Sequence, residues 1–312
     1  MDFRKENSIY GFHEERPVRI IKASYKYDEF DEVVIKCFKN NIHWNEEELN
    51  RNKKQMEREA TMLEKLKTRS NIILQYKGVS FDENLYNEYF GYIVFESLIC
   101  SVQNLIEALN PLILLQLEER NLNILNELKL TEEETNLWRN EMILQCSSAL
   151  AFIHSKGIIH RDIKSSNILI TRTKNRLSFK IADFGISIFE DEAKECRSQS
   201  CGTKGYMAPE IRVGVVVCEY SRLSDVYAFA VTVNEVMKGE IAAGNEEKPI
   251  VFEVINNDYD ENQIRKFFDI GLTENLAKRK ELLLTEYNVD DNSYFYAINQ
   301  YLANKIKTEV TV

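Results

Sequence analysis

The first third of the chain contains short runs rich in β-branched and aromatic residues between polar turns, a pattern typical of β-strands. Two of these runs, Arg19 to Ala23 and Glu32 to Phe38, flank the polar turn Tyr27-Asp28-Glu29 and are predicted to form adjacent strands. Beyond about Phe95 the apolar residues recur mainly at helical spacing. The pattern therefore predicts a β-rich part followed by a larger, mainly helical part.

Two long helices are predicted from the residues that can cap their N-termini. Asn45 precedes a first turn that contains the glutamates 46–48, where the helix dipole favours anions. Thr131 and Glu134 have the spacing of a capping box, and the helix that they open is expected to stop before Gly157. The first helix then carries one apolar stripe, which is made of Leu49, Met56, Ala60, Leu63 and Leu66.

The segment between these helices, residues 111–130, is rich in leucine. We expect it to be helical and to pack on the larger part of the protein; the alternative is a helix that binds a partner. Its apolar run from Pro111 to Leu117 is far too short to span a membrane.

Composition and charge narrow the classes of function. With 312 residues and 44% hydrophobic content, the chain can bury a substantial core. The net charge of −10 argues against nucleic acid or an anionic lipid surface as the main partner, since both attract basic surfaces. The six cysteines are scattered, and the first residues lack the pattern of a signal peptide. We therefore expect reduced thiols, a cytoplasmic or nuclear protein, no membrane insertion and no nucleic-acid partner.

One part of the sequence carries most of its chemical information. It is the run from His160 to Asn167, which is followed after two apolar runs by Asp183-Phe184-Gly185. The apolar runs, 168–170 and 179–181, are predicted to form a hairpin that brings four polar groups side by side. These are the side chains of Asp162, Lys164, Asn167 and Asp183.

Each of these groups suits one requirement of phosphoryl transfer, which needs a positioned acceptor hydroxyl, counter-charge for the phosphate oxygens and a divalent metal. Asp162 would accept the hydroxyl proton or orient the acceptor, and Lys164 would neutralise the migrating phosphoryl group. Asn167 and Asp183 supply hard oxygen ligands suited to Mg²⁺. Lys36, on a predicted strand, would hold the inner phosphates of the donor.

A lysine on a strand needs a carboxylate to keep its position. Glu59, on the flank of the first predicted helix, is the best candidate to restrain Lys36. Because Glu59 lies among Glu57, Arg58 and Glu64, a solvated helix face is the competing interpretation.

Four motifs have the order and spacing of those in eukaryotic protein kinases, which the chain resembles from about Ile20 to Lys238. They are Val33-Val34-Ile35-Lys36, the loop from His160 to Asn167, Asp183-Phe184-Gly185 and Ala208-Pro209-Glu210. The resemblance implies an α+β, two-lobed kinase-like fold, with ATP and Mg²⁺ in the cleft. The N-lobe, about residues 1–96, would be small and β-rich with one long helix. The C-lobe, 97–312, would be mainly helical, with 240–312 poorly aligned, and 1–312 would form a single kinase domain.

The same resemblance assigns further residues to the nucleotide. Val34 and Ile20 would cover the adenine, and Leu169 would lie beneath it. Phe95 would close the pocket behind the base, and the backbone from Glu96 to Leu98 would contact its edge. In this family the helix glutamate, here Glu59, pairs with the strand lysine.

Three other residues are given structural roles by the resemblance. Asp225 would be the buried aspartate that holds the loop from His160 to Asn167, which is the catalytic loop of the family, from beneath; His160 would support that loop as a packed residue. Glu210 needs a buried arginine partner, since an unpaired interior charge is costly. Arg279 is the first candidate for this partner and Arg265 is the second.

The residues around the loop indicate the acceptor. Lys164 with Ser165-Ser166 resembles the serine/threonine version of the loop, and Gly202-Thr203 agrees with it. The segment from Ile158 to Asn167 is similar to the tyrosine-kinase-like group, whose members mostly phosphorylate serine and threonine. The expected partner is therefore a protein substrate with a serine or threonine acceptor.

Regulation by an upstream kinase is a further hypothesis. Arg161 could pair with a phosphate placed on Ser198 or Ser200, which would order the surrounding segment. The alternative is that both serines remain unmodified. Thr203 is expected to have a structural role instead.

The sequence departs from the family at the loop that covers the phosphates. Counted back from Ile20, its three glycines should fall at His13, Glu15 and Val18, and none of these is glycine. Glycine allows the backbone to approach the phosphates closely and to adopt torsions that side chains resist. The alternative function is therefore a catalytically weak, kinase-like scaffold or allosteric module.

Overall fold

In the computed structural model the chain divides into two compact units, Met1–Leu98 and Ile99–Val312. The structure describes residues 3–8, 18–25, 28–40, 44–69, 72–81, 88–110, 119–173, 176–193, 200–212, 218, 220–239, 241, 269–273, 275–287 and 295. Within these ranges, no helix is both long enough and apolar enough to cross a membrane.

The first unit contains a five-stranded antiparallel sheet with the strand order β1-β2-β3-β5-β4. Its strands are β1 (Phe3–Ser8), β2 (Val18–Tyr25), β3 (Asp28–Lys39), β4 (Tyr76–Phe81) and β5 (Tyr89–Glu96). The two strands predicted from the sequence lie within β2 and β3, so they are confirmed. The predicted turn was wrong in length, because Asp28 and Glu29 already belong to β3, and a register shift after Ser24 lets Tyr25 pair with Asp28.

The two faces of this sheet differ in chemistry. One face carries a buried apolar cluster, made of Ile21, Ala23, Val33, Ile35, Cys37, Tyr89 and Val94. The residues between them point to the opposite face because side chains alternate along a strand. Pairing of Ile20 with Lys36, and of Val34 with Phe95, places these four residues on that opposite face.

Helix α1 (Glu46–Leu66) packs on the sheet of the first unit. The predicted cap is present, since the Asn45 side chain accepts from the Glu48 N–H at 2.9 Å and the Glu48 carboxylate accepts from the Asn45 N–H at 3.0 Å. Four residues of the predicted stripe are buried, whereas Leu49 is half-buried. Glu59 is buried with them, which is unusual for a carboxylate and requires a partner.

Gly91 on β5 allows α1 to lie close to the sheet. A Cβ atom at this position would lie 2.5 Å from the methyl carbon and 2.6 Å from the sulfur of Met56, which is fully buried. Met56 and Glu59 are one helical turn apart and therefore share a face of α1. The absence of a side chain at Gly91 thus also determines how closely Glu59 approaches the sheet.

The second unit is mainly helical, with short strands. Its helices are α2 (Val102–Leu109), α3 (Glu119–Leu128), α4 (Glu132–Ser155), α5 (Arg222–Lys238) and α6 (Leu276–Tyr287). Its strands are β6 (Cys100–Ser101), β7 (Ile158–Ile159), β8 (Ile168–Thr173), β9 (Arg176–Ile181) and β10 (Ile188–Phe189). A β-rich first part and a helical second part are what the sequence predicts.

The segment from His160 to Asn167 lies in the chain between helix α4 and the hairpin that follows it. The predicted capping box between Thr131 and Glu134 opens α4, and Gly157 follows the helix with a left-handed φ of 66°. Strands β8 and β9 form the predicted hairpin, with Ile168 opposite Ile181. Of the leucine-rich segment 111–130, residues 119–128 form α3, and 111–118 lie outside the described residues.

Helix α5 is buried along almost its whole length. Every residue from Leu223 to Val236 is buried. Ser221 caps its N-terminus by accepting a hydrogen bond from the Leu223 N–H at 3.2 Å. A helix buried over this length is a rigid support for the segments that contact its first turn.

Gly91→Ala is expected to lower the free energy of unfolding by about 1–3 kcal/mol, because the new methyl group overlaps the buried Met56 side chain. In a Met56→Ala background the same substitution should cost less than about 1 kcal/mol, since the obstructing atoms are gone. Denaturant unfolding of the four proteins measures both costs. An equal cost in both backgrounds would show that Met56 is not the obstruction.

Candidate functional site

In the first unit, Lys36 on β3 forms an ion pair with Glu59 on α1. The Lys36 Nζ donates to both carboxylate oxygens, at 2.8 and 2.9 Å. Glu59 is only 2% exposed, so its charge depends on this partner. The competing interpretation of Glu59 as part of a solvated helix face is therefore wrong, because the side chain points into the sheet. The pair fixes an ammonium group on the face that also carries Val34 and Phe95.

The other residues expected around the adenine have well-defined positions. Ile20 lies beside Lys36 across the β2–β3 pair and is half-buried, as is Leu169 on β8 in the second unit. The Glu96 carboxylate accepts a hydrogen bond from the Gln75 N–H at 2.6 Å, and the backbone N–H of Glu96 donates to the Gln75 carbonyl at 3.0 Å. These contacts fix the backbone where β5 ends. Leu98, two residues further on, is buried.

In the second unit, Asp162 lies at the centre of a group of polar side chains. Its Oδ2 accepts from the Asn167 side-chain amide at 3.0 Å and lies 2.7 Å from the Lys164 Nζ. The Asn167 amide also donates to the Asp162 backbone carbonyl at 2.8 Å. Two of the polar residues that were expected to lie beside Asp162 therefore contact its carboxylate directly.

Thr203 completes this group, although the sequence assigned it only a structural role. Its hydroxyl donates to Asp162 Oδ1 at 2.6 Å and accepts from Lys164 Nζ at 2.6 Å. Its place after Gly202, together with a lysine in the loop, was the available signal for this contact. We refer to Asp162, Lys164, Asn167 and Thr203 as the Asp162 cluster.

His160 connects the catalytic loop to the segment that carries Asp183. Its Nδ1 accepts from the Asp162 N–H at 3.3 Å, so its Nε2 is the protonated nitrogen that donates to the Ala182 carbonyl at 3.0 Å. The ring also contacts Phe184 edge-on, with centroids 4.9 Å apart. His160 is therefore a packed supporting residue, as the sequence predicts.

Asp183 and Asn167 offer the oxygen ligands that a Mg²⁺ site requires. Asp183 is exposed and has a left-handed φ of 65°, whereas Phe184, which follows it, is buried. The Asn167 amide donates with its nitrogen to Asp162, so its oxygen is the end that can bind a cation. One carboxylate and one amide oxygen, completed by phosphate oxygens and water, suit Mg²⁺.

Asp225, at the start of α5, holds the catalytic loop through its backbone. Its two carboxylate oxygens accept the N–H groups of His160 and Arg161, at 2.8 and 2.9 Å. His154 donates to the same carboxylate at 2.9 Å. Burial alone would raise the pKa of Asp225, but the hydrogen bond from His154 and the nearby histidines lower it overall, so the charged form is favoured.

The Ala208-Pro209-Glu210 motif is held by a buried ion pair. Arg279, which is fully buried, donates to Glu210 at 2.9 Å and to the Leu223 carbonyl at 3.2 Å. The first candidate for the Glu210 partner is therefore confirmed, and Arg265 lies outside the described residues. This pair joins the motif to the first turn of α5.

The residues of the regulatory hypothesis are only partly described. Arg161 is 8% exposed and has a left-handed φ of 72°. Ser200 is exposed, and its hydroxyl donates to the Ile211 carbonyl at 2.8 Å. Ser198 lies outside the described residues, as do His13 and Glu15 of the phosphate-covering loop. Val18, the third glycine position of that loop, lies in β2.

Comparison with known proteins gives a match that covers most of the chain. The family model of the protein kinase domain matches residues 21–302. This range includes the Lys36–Glu59 pair and the Asp162 cluster.

Individual relatives match shorter parts. The light-sensor protein kinase of Ceratodon purpureus is 36% identical over 129 residues, which are 35% of this chain and 10% of the relative. The calcium/calmodulin-dependent protein kinase cmkB of Emericella nidulans is 42% identical over 72 residues, 23% of this chain and 18% of the relative. The serine/threonine-protein kinase MST20 of Pyricularia oryzae is 41% identical over 91 residues, which are 29% of this chain and 9% of the relative. The matches thus span less than a fifth of each relative.

Asp225→Asn is expected to lower the free energy of unfolding by about 3–5 kcal/mol at neutral pH, because it removes a buried charge that accepts three hydrogen bonds. The pKa of Asp225 is lower in the folded protein than its ordinary value of 3.8. The contribution of the charged carboxylate to stability is therefore fully present above pH 3.8, and it is lost as the pH falls through the pKa of the folded protein. The stability difference should therefore be constant near neutral pH and shrink below about pH 4.

Urea unfolding of both proteins between pH 7 and pH 3 measures this difference. Asp191→Asn, at an exposed carboxylate, is the control and should change stability little. A difference between wild type and Asp225→Asn that stays the same over the whole pH range would contradict the charged role of Asp225.

Proposed function

Because the chain belongs to the protein kinase domain family, we propose that residues 1–312 form one kinase domain that transfers the γ-phosphate of ATP to serine or threonine hydroxyls of proteins. The observation that carries the proposal is the Asp162 cluster. Three side chains hold one carboxylate there, with hydrogen bonds or ion-pair contacts between 2.6 and 3.0 Å. A carboxylate held in this way can accept a hydroxyl proton and orient the hydroxyl oxygen.

The proposed step is direct transfer between two oxygens. The acceptor hydroxyl oxygen forms a bond to the γ-phosphorus, the bond to the departing ADP oxygen breaks, and the hydroxyl proton passes to Asp162. The Lys164 ammonium, 2.7 Å from Asp162, balances negative charge on the migrating group. Thr203 and Asn167 keep the carboxylate oriented throughout. When bound, Mg²⁺ neutralises phosphate charge; Asn167 and Asp183 are the residues that would hold it.

Nucleotide binding is assigned to residues of both units. Lys36, fixed by Glu59, is proposed to bind the inner phosphates, which it can do because one ammonium can donate to several oxygens. The apolar contacts with adenine are assigned to Ile20, Val34, Phe95 and Leu169, and backbone contacts with its edge to Glu96 and Leu98. The assignment of Ile20, Val34 and Phe95 is supported by the sheet pairing, which places them on the same face as Lys36.

The preference for serine and threonine rests on Lys164 and Thr203. The two residues contact each other beside Asp162, and they are the pair that the sequence connected with serine/threonine kinases. One of the relatives described above is named a serine/threonine-protein kinase. The Glu210–Arg279 pair supports a protein substrate, because it stabilises Ala208-Pro209-Glu210, one of the motifs that the chain shares with protein kinases.

An upstream kinase that modifies Ser198 or Ser200 is part of the proposal. Arg161 supports it, because its guanidinium is always charged and its Nε has no hydrogen-bond partner among the described residues. A phosphate near this guanidinium would form charge-assisted hydrogen bonds.

One observation favours a second function, a kinase-like module that binds nucleotide poorly. The glycine positions of the phosphate-covering loop hold other residues, and the last of them, Val18, is part of β2. Such a module would keep the fold and the ion pairs but would transfer little phosphate. The two functions differ in whether Mg²⁺ and ATP bind and react.

Phosphate transfer from labelled ATP to a generic basic protein tests the first function. Asp162→Asn should lower kcat by about 10²–10⁴-fold, because the amide cannot take the hydroxyl proton. The KM for ATP should change little. The control is Asp191→Asn, an exposed carboxylate outside the Asp162 cluster, which should keep wild-type activity. Equal signals from wild type and Asp162→Asn would point to a contaminating kinase.

Nucleotide binding separates the enzyme from the module. At about 100-fold excess over Kd, Mg²⁺ and ATP should stabilise the wild type by about 2.7 kcal/mol, which raises Tm by a few degrees. Lys36→Met and Glu59→Gln should each reduce this shift, because the phosphate-binding ammonium is lost or released. Lys54→Met, at an exposed lysine on the same helix as Glu59, should not. No shift and no transfer in the wild type would favour the module.

A further inference from the structure

Tyr220, the residue before the N-cap of α5, contacts two segments of the catalytic region. Its hydroxyl accepts from the Cys201 N–H at 2.7 Å and lies 3.3 Å from the Cys201 carbonyl, to which it donates. Its side chain is 5% exposed. Because Tyr220 precedes the buried helix α5 directly, its ring is attached to a rigid part of the second unit.

The ring of Tyr220 also covers Arg161. The centre of the Arg161 guanidinium lies 4.2 Å from the ring centroid, a stacking distance at which a cation is attracted to the aromatic face. Arg161 is 8% exposed and neighbours Asp162. One side chain therefore contacts the catalytic loop with its ring and the Cys201 backbone with its hydroxyl.

The segment after Cys201 leads directly into the Asp162 cluster. Gly202 has a φ of 125°, and a Cβ there would lie 2.9 Å from the Arg161 carbonyl oxygen, so this backbone lies against the catalytic loop. Thr203 follows and donates to Asp162 at 2.6 Å. Only Gly202 separates Cys201, which Tyr220 holds, from Thr203, which orients the Asp162 carboxylate.

We propose that Tyr220 is a positioning residue: by holding Cys201 and Arg161 together, it keeps Thr203 on Asp162. The proposal rests on the proposed kinase function for its effect on catalysis. The hydroxyl and the ring have separate tasks. The hydroxyl fixes the backbone before Thr203, and the ring restrains the arginine beside Asp162.

Two substitutions separate these tasks. Tyr220→Phe keeps the ring on Arg161 and removes both hydrogen bonds to the Cys201 backbone, together with the 3.4 Å contact between the hydroxyl and the Cys201 sulfur. Tyr220→Leu removes the ring as well. The matched control is Tyr89→Phe, because Tyr89 is a buried tyrosine whose hydroxyl also makes two hydrogen bonds, to Arg19 and Glu88, in the first unit.

The first measurement is amide hydrogen exchange of unphosphorylated protein, which needs no catalytic activity. In Tyr220→Phe the peptide that covers residues 200–206 should exchange about 10-fold faster, the effect of one lost hydrogen bond. Tyr89→Phe should leave this peptide unchanged. Unchanged exchange in Tyr220→Phe would overturn the proposal.

The second measurement is steady-state phosphate transfer by the same proteins. Tyr220→Phe should lower kcat by about 10-fold and leave the KM for ATP within about twofold, because Thr203 acts on Asp162 and not on the nucleotide. Tyr220→Leu should lower kcat further. A general loss of folding would instead lower Tm and alter kcat and KM together, and that result would also count against a positioning role.

The two proposals fail in distinguishable ways. If the wild type transfers no phosphate, the proposed kinase function is wrong, and the exchange measurement alone decides whether Tyr220 positions the segment. If the wild type is active and Tyr220→Phe equals it in kcat, the positioning role is wrong and the kinase function stands.

Discussion

The hydrogen bonds from the backbone of the catalytic loop to Asp225 are the contacts on which the rest of the second unit's site depends. A buried carboxylate accepts the N–H groups of His160 and Arg161, so two consecutive peptide units are fixed before Asp162. Arg161 has a left-handed φ, a conformation that a non-glycine residue keeps only when its surroundings hold it. The strained turn and the anchored N–H groups together present Asp162 to its partners.

Buried charge is used in the same way at three places around the site. Glu59 pairs with Lys36, Asp225 accepts three hydrogen bonds, and Arg279 pairs with Glu210. Such a charge is costly when its partners move away, so each of the three charges penalises displacement of the element that carries it. The three buried charges hold, respectively, the strand lysine on its sheet face, the catalytic loop on α5, and the Ala208-Pro209-Glu210 motif on α5.

Local features were the easiest to predict. The caps of α1 and α4 and the β8–β9 hairpin depend on residues a few positions apart, and the structure contains all of them. The turn before β3 was predicted too long, because β3 already begins at Asp28. The register shift that pairs Tyr25 with Asp28 arises from the contact between the two strands, and a polar run in the sequence does not reveal it. Thr203 was underestimated for another reason: it is 41 residues from Asp162, and its place after Gly202 together with a loop lysine was the one indirect signal of such a contact.

The sequence by itself determined which chemical groups the protein has and in which order its motifs follow one another, because residue type and short-range spacing are encoded locally. It also indicated the Glu210–Arg279 pair, but only through resemblance to a family. The tertiary structure alone decided that Thr203 joins Asp162 to Lys164 and that Tyr220 stacks on Arg161 while holding Cys201. These contacts join residues 19 to 59 positions apart, and their geometry follows from how α5 and the loops pack, which no local pattern specifies.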